Sequence, residues 1–170
     1  MPIDEEKYNV LNQTLDSFKG ADEIIVVENW REGYAVPINY GLSQAKGDFI
    51  VVMNDDLNWD GGSLKRLCDP EAVVSPMVNG RIQDFWGCSF CLPRWVYEKT
   101  QGLFEGYRIS YFDDDDFWNT LKQLNIPHYC NPNVSLTTQG GRTLERFPDR
   151  NEFFEENRQI YNSRWPKDPR

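Results

Sequence analysis

The residues of this chain whose types and spacing could do chemistry are mostly carboxylates. Asn54-Asp55-Asp56 follows the apolar run Phe49 to Met53 directly. Two adjacent acids at the carboxyl end of a buried strand offer hard oxygen donors of the kind Mg²⁺ or Mn²⁺ takes. The same triplet is also ordinary turn composition. Asp113-Asp114-Asp115-Asp116 opens a helical pattern. Acids in a first turn cap orphan N–H groups and suit the macrodipole, which accounts for one or two of them. Four in a row repel one another, and the flanking Tyr111-Phe112 and Phe117-Trp118 predict partial burial. A nearby cation or a proton-accepting role explains the excess. An EF-hand loop does not fit, because the sixth position is not Gly and Leu124 stands where the bidentate Glu belongs. Gly140-Gly141-Arg142-Thr143 is a flexible turn with a cation, able to meet a phosphate through backbone N–H groups and a guanidinium, or to be a plain surface loop.

Cysteine and histidine add less. Cys88-Ser-Phe-Cys91 has the spacing of zinc and redox sites, but Cys68 and Cys130 stand alone, so a four-cysteine zinc site is poorly supported. Phe85 to Leu92 reads as a strand, whose residues three apart point to opposite faces, and Cys88 and Cys91 are expected to be structural thiols without zinc. His128, the single histidine, reads as a packed, hydrogen-bonded residue, and no nucleophile motif accompanies it.

These residues need elements to position them. Apolar positions 11, 15 and 18 predict a helix from Asn9 to Phe18, and Glu23 to Glu28 is a β-branched run of buried-strand type. Helices are expected over Pro37 to Ala45, Ser63 to Cys68, Pro93 to Thr100, Asp113 to Leu124 and Asp149 to Arg164. Strands are expected over Phe49 to Met53, Ala72 to Val78, 85–92, His128 to Cys130 and Val134 to Thr138. Alternating strands and helices mean an α/β layered fold with a mostly parallel central sheet flanked by helices, which binds ligands beyond the carboxyl ends of its strands.

A chain of 170 residues points to one domain. Leu, Ile, Val and Phe make up about a quarter of it, above the composition of disordered chains despite the net charge of −9. The pI near 4.6 argues against wrapping nucleic acid or coating an anionic membrane. With no long apolar run and an acidic start, Met1-Pro-Ile-Asp-Glu-Glu, the expectation is a soluble cytoplasmic protein with no transmembrane segment.

In order and spacing, these motifs resemble the family-2 glycosyltransferases, inverting enzymes with the single-domain GT-A, Rossmann-like fold, from about Tyr8 to Trp165. Ile24-Ile-Val-Val-Glu-Asn29 is similar to the family strand that ends in an acid contacting the nucleotide, here Glu28. Asn39-Tyr-Gly-Leu-Ser-Gln-Ala-Lys-Gly-Asp48 is similar to the family's N-x-G-x-x-x-A-x-G-D stretch. Asn54-Asp55-Asp56 stands at its Asp-x-Asp metal motif, with Asn replacing the first acid. Trp86 to Phe104 resembles the acceptor-side strand and helix. Tyr111-Phe-Asp-Asp-Asp-Asp-Phe117 resembles the Glu-Asp-x-Asp segment, and Asn157 to Trp165 the Asn-Arg…Lys-Trp tail. Thr138 stands where the family often carries a His, Thr120 where an Arg is usual, and the chain resembles a compact version lacking most of the usual first strand.

The resemblance implies a metal-dependent transfer of sugar from a nucleotide-diphosphosugar to an acceptor hydroxyl on a glycan, lipid-linked sugar or protein. It implies a divalent cation, Mn²⁺ or Mg²⁺, on Asp56 with Asp55. It implies donor binding by Glu28, Asn29, Asn39, Asp55 and Arg142, and catalysis by Asp114 as base, with Asp113 and Asp116 as the flanking acids. Residues 1–56 are then the nucleotide-binding part, 57–148 the acceptor and catalytic part, and 149–170 the C-terminal helix and tail. Two alternatives stay open: a non-catalytic sugar- or partner-binding module on the same fold, and a sugar-nucleotide nucleotidyltransferase, which usually carries an early Gly-rich basic loop that this chain lacks.

Overall fold

The computed structural model describes residues 12, 14–15, 20–29, 32–61, 63–138 and 149–168. Its elements in chain order are α1 (Ala35–Gln44), β1 (Phe49–Met53), β2 (Leu57–Gly61), a 3₁₀ turn (Leu64–Leu67), β3 (Val73–Val78), β4 (Ser89–Pro93), α2 (Arg94–Thr100), α3 (Asp113–Gln123), β5 (His128–Thr138) and α4 (Arg150–Arg164). The strands form one sheet in the order β1-β4-β3-β5-β2. β1, β3 and β5 run the same way and β4 and β2 oppose them, so β3–β5 is the parallel pair and the other neighbours are antiparallel. The expected α/β layering is present, on a sheet that is mixed in its pairings.

Alternation along the strands builds two layers. Ile50 and Val52 of β1, with Phe90 and Leu92 of β4, face the helices and pack with Leu42, Val96, Phe117 and Leu121. Phe49, Val51 and Cys91 face the other way, against Leu67, Val74 and Val134. Pro93 ends β4 in extended backbone and caps α2, as a residue that cannot donate to a ladder does well. The Arg94 guanidinium then donates to the Ala45 and Gly47 carbonyls beyond α1. A third cluster, Tyr107, Phe112 and Tyr161, packs α4 against the approach to α3.

Four expectations are corrected. The run Glu23 to Glu28 joins no ladder, and Ile24, Ile25 and Val26 are 51%, 37% and 59% exposed. Among the described residues no strand lies outside β1 for it to join through, and β-branched residues do not hold a strand without a partner. Leu57–Gly61 is a strand no pattern announced, and the pieces at 128–130 and 134–138 are one bulged strand. The strand read over 85–92 begins only at Ser89. The helix read from Asn9 to Phe18 lies mostly outside the described residues. No helix among the described residues is long and apolar enough to cross a membrane.

Candidate active site

The mixed sheet brings separate stretches to one edge. β1 and β4 are antiparallel with Met53 opposite Ser89, so the turn leaving β1 lies beside the stretch entering β4. There the Asn54 N–H donates to the Cys88 carbonyl at 3.0 Å. β5 ends at the same edge, with Thr138 opposite Leu57. The Thr138 hydroxyl reaches Asp56 Oδ2 at 3.4 Å, and both backbone groups of Thr138 pair with the Asn79 side chain at 3.0 Å. Thr14 ties down the turn from behind, donating to the carbonyls of Asp55 at 3.3 Å and Leu57 at 2.8 Å.

The start of α3 packs onto this edge through a glycine. A Cβ built on Gly87 would lie 2.5 Å from Asp114 Cβ, so only Gly admits the carboxylate-bearing turn this close. Tyr34, just before α1, donates its hydroxyl to the Gly87 carbonyl. Burial pushes the Tyr34 hydroxyl well above its ordinary pKa, followed by the charges of Asp114, Cys88 and Asp113. Cys88 is pushed up to about 11, by burial first and then by Asp56 and Asp114. The Asn54–Cys88 backbone bond and the contact of Gly87 with Asp114 bring the turn after β1 and the start of α3 to the same end of β4.

The four acids have four environments, as a turn of about 100° per residue requires. Asp113 is buried, its Oδ2 has no hydrogen-bond partner among the described residues, and burial followed by the Asp114 charge lifts it to about 8. Asp114 is exposed and accepts from the Asp115 N–H at 3.0 Å. Asp114 and Asp115 line a cleft of about 380 Å³ with Gln83, Asp84, Phe85 and Trp118. Asp116 is 1% exposed and saturated: Tyr107 Oη at 2.7 Å, Arg164 Nε at 2.7 Å and Nη2 at 3.2 Å, and Trp165 Nε1 at 2.8 Å all donate to it. That geometry makes Asp116 the anchor of the C-terminal helix.

The approach to α3 is strained. Ile109, Tyr111 and Phe112 have φ of 64°, 83° and 72°, left-handed values that cost a bulky residue energy. Buried Asn157 holds the segment, accepting from the Arg108 N–H at 2.8 Å and donating to the carbonyls of Arg108 at 2.9 Å and Ser110 at 2.7 Å. Strain held in place next to exposed carboxylates is the pattern of a functional segment.

The other sequence candidates sit on other elements. Glu28 and Asn29 lie on the exposed, unpaired stretch, where Asn29 shapes a turn through the Gly33 carbonyl at 2.7 Å and the Glu32 N–H at 3.1 Å. Asn39 is spent on the loop after α2, bonding Leu103 through both backbone groups at 2.7 Å and Glu105 at 2.8 Å. Arg142 lies outside the described residues. His128 accepts from Trp118 Nε1 at 2.8 Å and pairs Nδ1 with the Ile126 carbonyl at 3.0 Å, the packed histidine its sequence suggested. Sequence reasoning missed Tyr34, Gly87 as a contact surface and Tyr107; only Gly87, inside an aromatic strand lead, carried a local signal.

Known proteins share this fold. The model of glycosyl transferase family 2 matches residues 11–153. No curated protein matches the chain. Among solved structures, the catalytic domain of Drosophila β1,4-galactosyltransferase 7 in complex with xylobiose is similar at 16% identity and a TM-score of 0.57, over 82% of this chain and 63% of that one. A mutant of that enzyme in complex with manganese, UDP-Gal and xylobiose gives 14% identity and a TM-score of 0.61, over 89% of this chain and 76% of its own. At such identities the likeness is one of fold. The family match spans most of the chain, and it makes this protein a member of glycosyl transferase family 2.

Proposed function

We propose that the protein is a metal-dependent, inverting glycosyltransferase that moves a sugar from a nucleotide-diphosphosugar to an acceptor hydroxyl. The observation that carries this reading is that the turn bearing Asp55 and Asp56 and the helix start bearing Asp114 both contact the Gly87–Cys88 stretch at one sheet edge. The solved relative with manganese, UDP-Gal and xylobiose supports a nucleotide-sugar donor and a sugar acceptor.

The donor set fits a hard divalent cation. Asp55 and Asp56 supply carboxylate oxygens on an open turn, and Mg²⁺ or Mn²⁺ sites use one or two carboxylates completed by substrate phosphates and water. A bound cation supplies neutralisation of the diphosphate leaving group. Asp56, with Asp55, would hold it, and the Thr138 hydroxyl lies at 3.4 Å to orient the Asp56 carboxylate. Asp114 accepts the proton from the acceptor hydroxyl, as general-base catalysis requires. Asp113 lies behind it as a buried acid that stays largely protonated near neutral pH. Glu28 orients the nucleoside and Arg142 meets phosphate.

A thermal-shift panel of UDP, GDP, CDP and dTDP, with and without Mn²⁺, tests donor binding, since ligand bound to the native state raises the melting temperature by mass action. Stabilisation by one base that needs the metal is expected. NMR of the product formed with the matching nucleotide-sugar then reads the anomeric configuration. Stabilisation without metal, or retained configuration, would refute the reading, and binding with no turnover would favour a non-catalytic module.

A further inference from the structure

The cleft beside Asp114 has an aromatic wall that the proton transfer does not use. Trp118 lies four residues after Asp114 on the same face of α3, and its indole borders the cleft with Gln83, Asp84, Phe85 and Asp115. Two groups fix the ring. Its Nε1–H donates to His128 Nε2 at 2.8 Å, with the two rings standing at 86° to each other. Lys122, one turn further along α3, sets its ammonium 3.7 Å from the ring centroid. An indole N–H only donates, so His128 Nε2 is unprotonated, and Nδ1 carries the proton that goes to the Ile126 carbonyl at 3.0 Å. His128 opens β5 opposite Val73 of β3, so the group that accepts from the indole is built into the sheet. The cleft itself is chemically one-sided. The described residues lining it supply three carboxylates, an amide and two aromatic rings but no cation, around about 380 Å³, within the size range of small-ligand pockets.

We infer that the acceptor is an uncharged sugar whose ring packs against Trp118, and that His128 is the positioning residue that holds Trp118 for it; the inference rests on the transferase reading above. An indole offers a flat apolar surface with a negative face, which suits the C–H side of a sugar ring. The carboxylates and the Gln83 amide meet the hydroxyls at its rim. A sugar seated there shares its cleft with Asp114, the proposed base. An acceptor bearing phosphate or carboxylate would instead bring its charge among Asp84, Asp114 and Asp115 with no lining cation to offset it, and that repulsion is a specificity device. His128 acts through Trp118. Without an acceptor for its N–H the indole loses its fixed orientation, and binding the sugar must then restore that order at a cost in affinity.

The experiment is proton–nitrogen NMR on the whole labelled chain. Its six tryptophans give six indole N–H signals, and Trp118→Phe identifies the one from residue 118. The single histidine reports its own tautomer, expected to be the Nδ1–H form. Xylobiose and methyl β-galactoside are titrated as neutral probes, methyl glucuronide and glucose 1-phosphate as anionic ones. The neutral probes should move the Trp118 signal and the anionic ones should not. His128→Phe, which fills the space but accepts nothing, should weaken the neutral probes about fivefold, the worth of one hydrogen bond. His128→Gln, whose amide oxygen can accept from the indole, should restore most of that loss, and nucleotide stabilisation should be the same in both variants. Anionic probes that bind as well as neutral ones, neutral probes that leave Trp118 unmoved, an Nε2–H imidazole, or unweakened binding in His128→Phe would each overturn the inference. A Trp118 response without metal-dependent nucleotide binding would refute the transferase reading and leave a sugar-binding cleft; nucleotide binding without the response refutes the cleft assignment alone.

Discussion

Gly87→Ala tests the construction of the site at its tightest point. The new Cβ would sit 2.5 Å from Asp114 Cβ, 3.1 Å from its Oδ2 and 3.2 Å from its Cγ. Rotating the Asp114 side chain relieves only the last two, because Cβ is fixed by the backbone of α3. Apolar carbons settle at about 3.5–4.0 Å, so the two backbones must part by about 1 Å. On one side Gly87 is pinned by Tyr34 and its neighbour Cys88 by Asn54, and the displacement therefore falls on the first turn of α3. Overpacking of this kind costs about 1–3 kcal/mol, equivalent to about 3–9 °C in melting temperature for a chain of this size. A shift of about 1 Å in a positioned group costs about 10²-fold in turnover. Calorimetry and single-turnover transfer with the matched nucleotide-sugar read the two effects separately. Nucleotide binding should hold, since Asp56 lies on the pinned side. A melting temperature within about 1 °C of wild type, or turnover unchanged while Asp114→Asn is inactive, would refute the reasoning.

Asp113→Asn should remove a pH dependence. The native carboxyl is raised to about 8 against an ordinary 3.8, so between those values the unfolded state sheds a proton that the native state keeps, and wild-type stability falls as pH rises. The slope from this group is at most about 1.4 kcal/mol per pH unit; urea titrations from pH 4 to 8 should show it in the wild type and not in the variant. Arg164→Ala leaves the buried Asp116 carboxylate with Tyr107 and Trp165 alone, and a loss of about 2–4 kcal/mol in urea unfolding is expected; an unchanged midpoint would mean the network is not needed. Asp56→Ala should abolish the metal dependence of nucleoside diphosphate binding in calorimetry with and without EDTA, and equal wild-type affinity in both conditions would remove the metal from the proposal.

What was legible in the sequence was what a short window contains. Phe49 to Met53 reads as a buried strand because every residue in it is apolar, and it forms over those residues. Asp113 opens its helix where the spacing of Phe117, Leu121 and Leu124 placed it. Leu57–Gly61 was invisible, since Asn, Asp and Gly are poor strand formers and the strand exists because β5 lies beside it. Glu23 to Glu28 failed for the converse reason: good strand composition with no ladder to join. At the site, the acids could be singled out by their crowding, but their different environments could not. Asp116 is set by Arg164, 48 residues away, and Tyr34 meets Gly87 across 53. Contacts at that range leave no periodic trace.

The Asp116 anchor also fixes an order of assembly. A ribosome releases the chain from its N-terminus, and domains condense as their segments emerge. The sheet from β1 to β5 and the acids of α3 are all synthesised before Arg164 and Trp165. Until α4 and Trp165 arrive, the Asp116 carboxylate has only Tyr107, and the left-handed turn at Ile109 to Phe112 lacks the grip of Asn157. A nascent or prematurely terminated chain thus has its strands but an unfinished acidic helix start, carrying an under-paired buried charge that disfavours closure. The last helix works as a keystone: stop codons, proteolytic nicks or fusion junctions placed before Trp165 should yield protein that collapses around its sheet and never sets its acids.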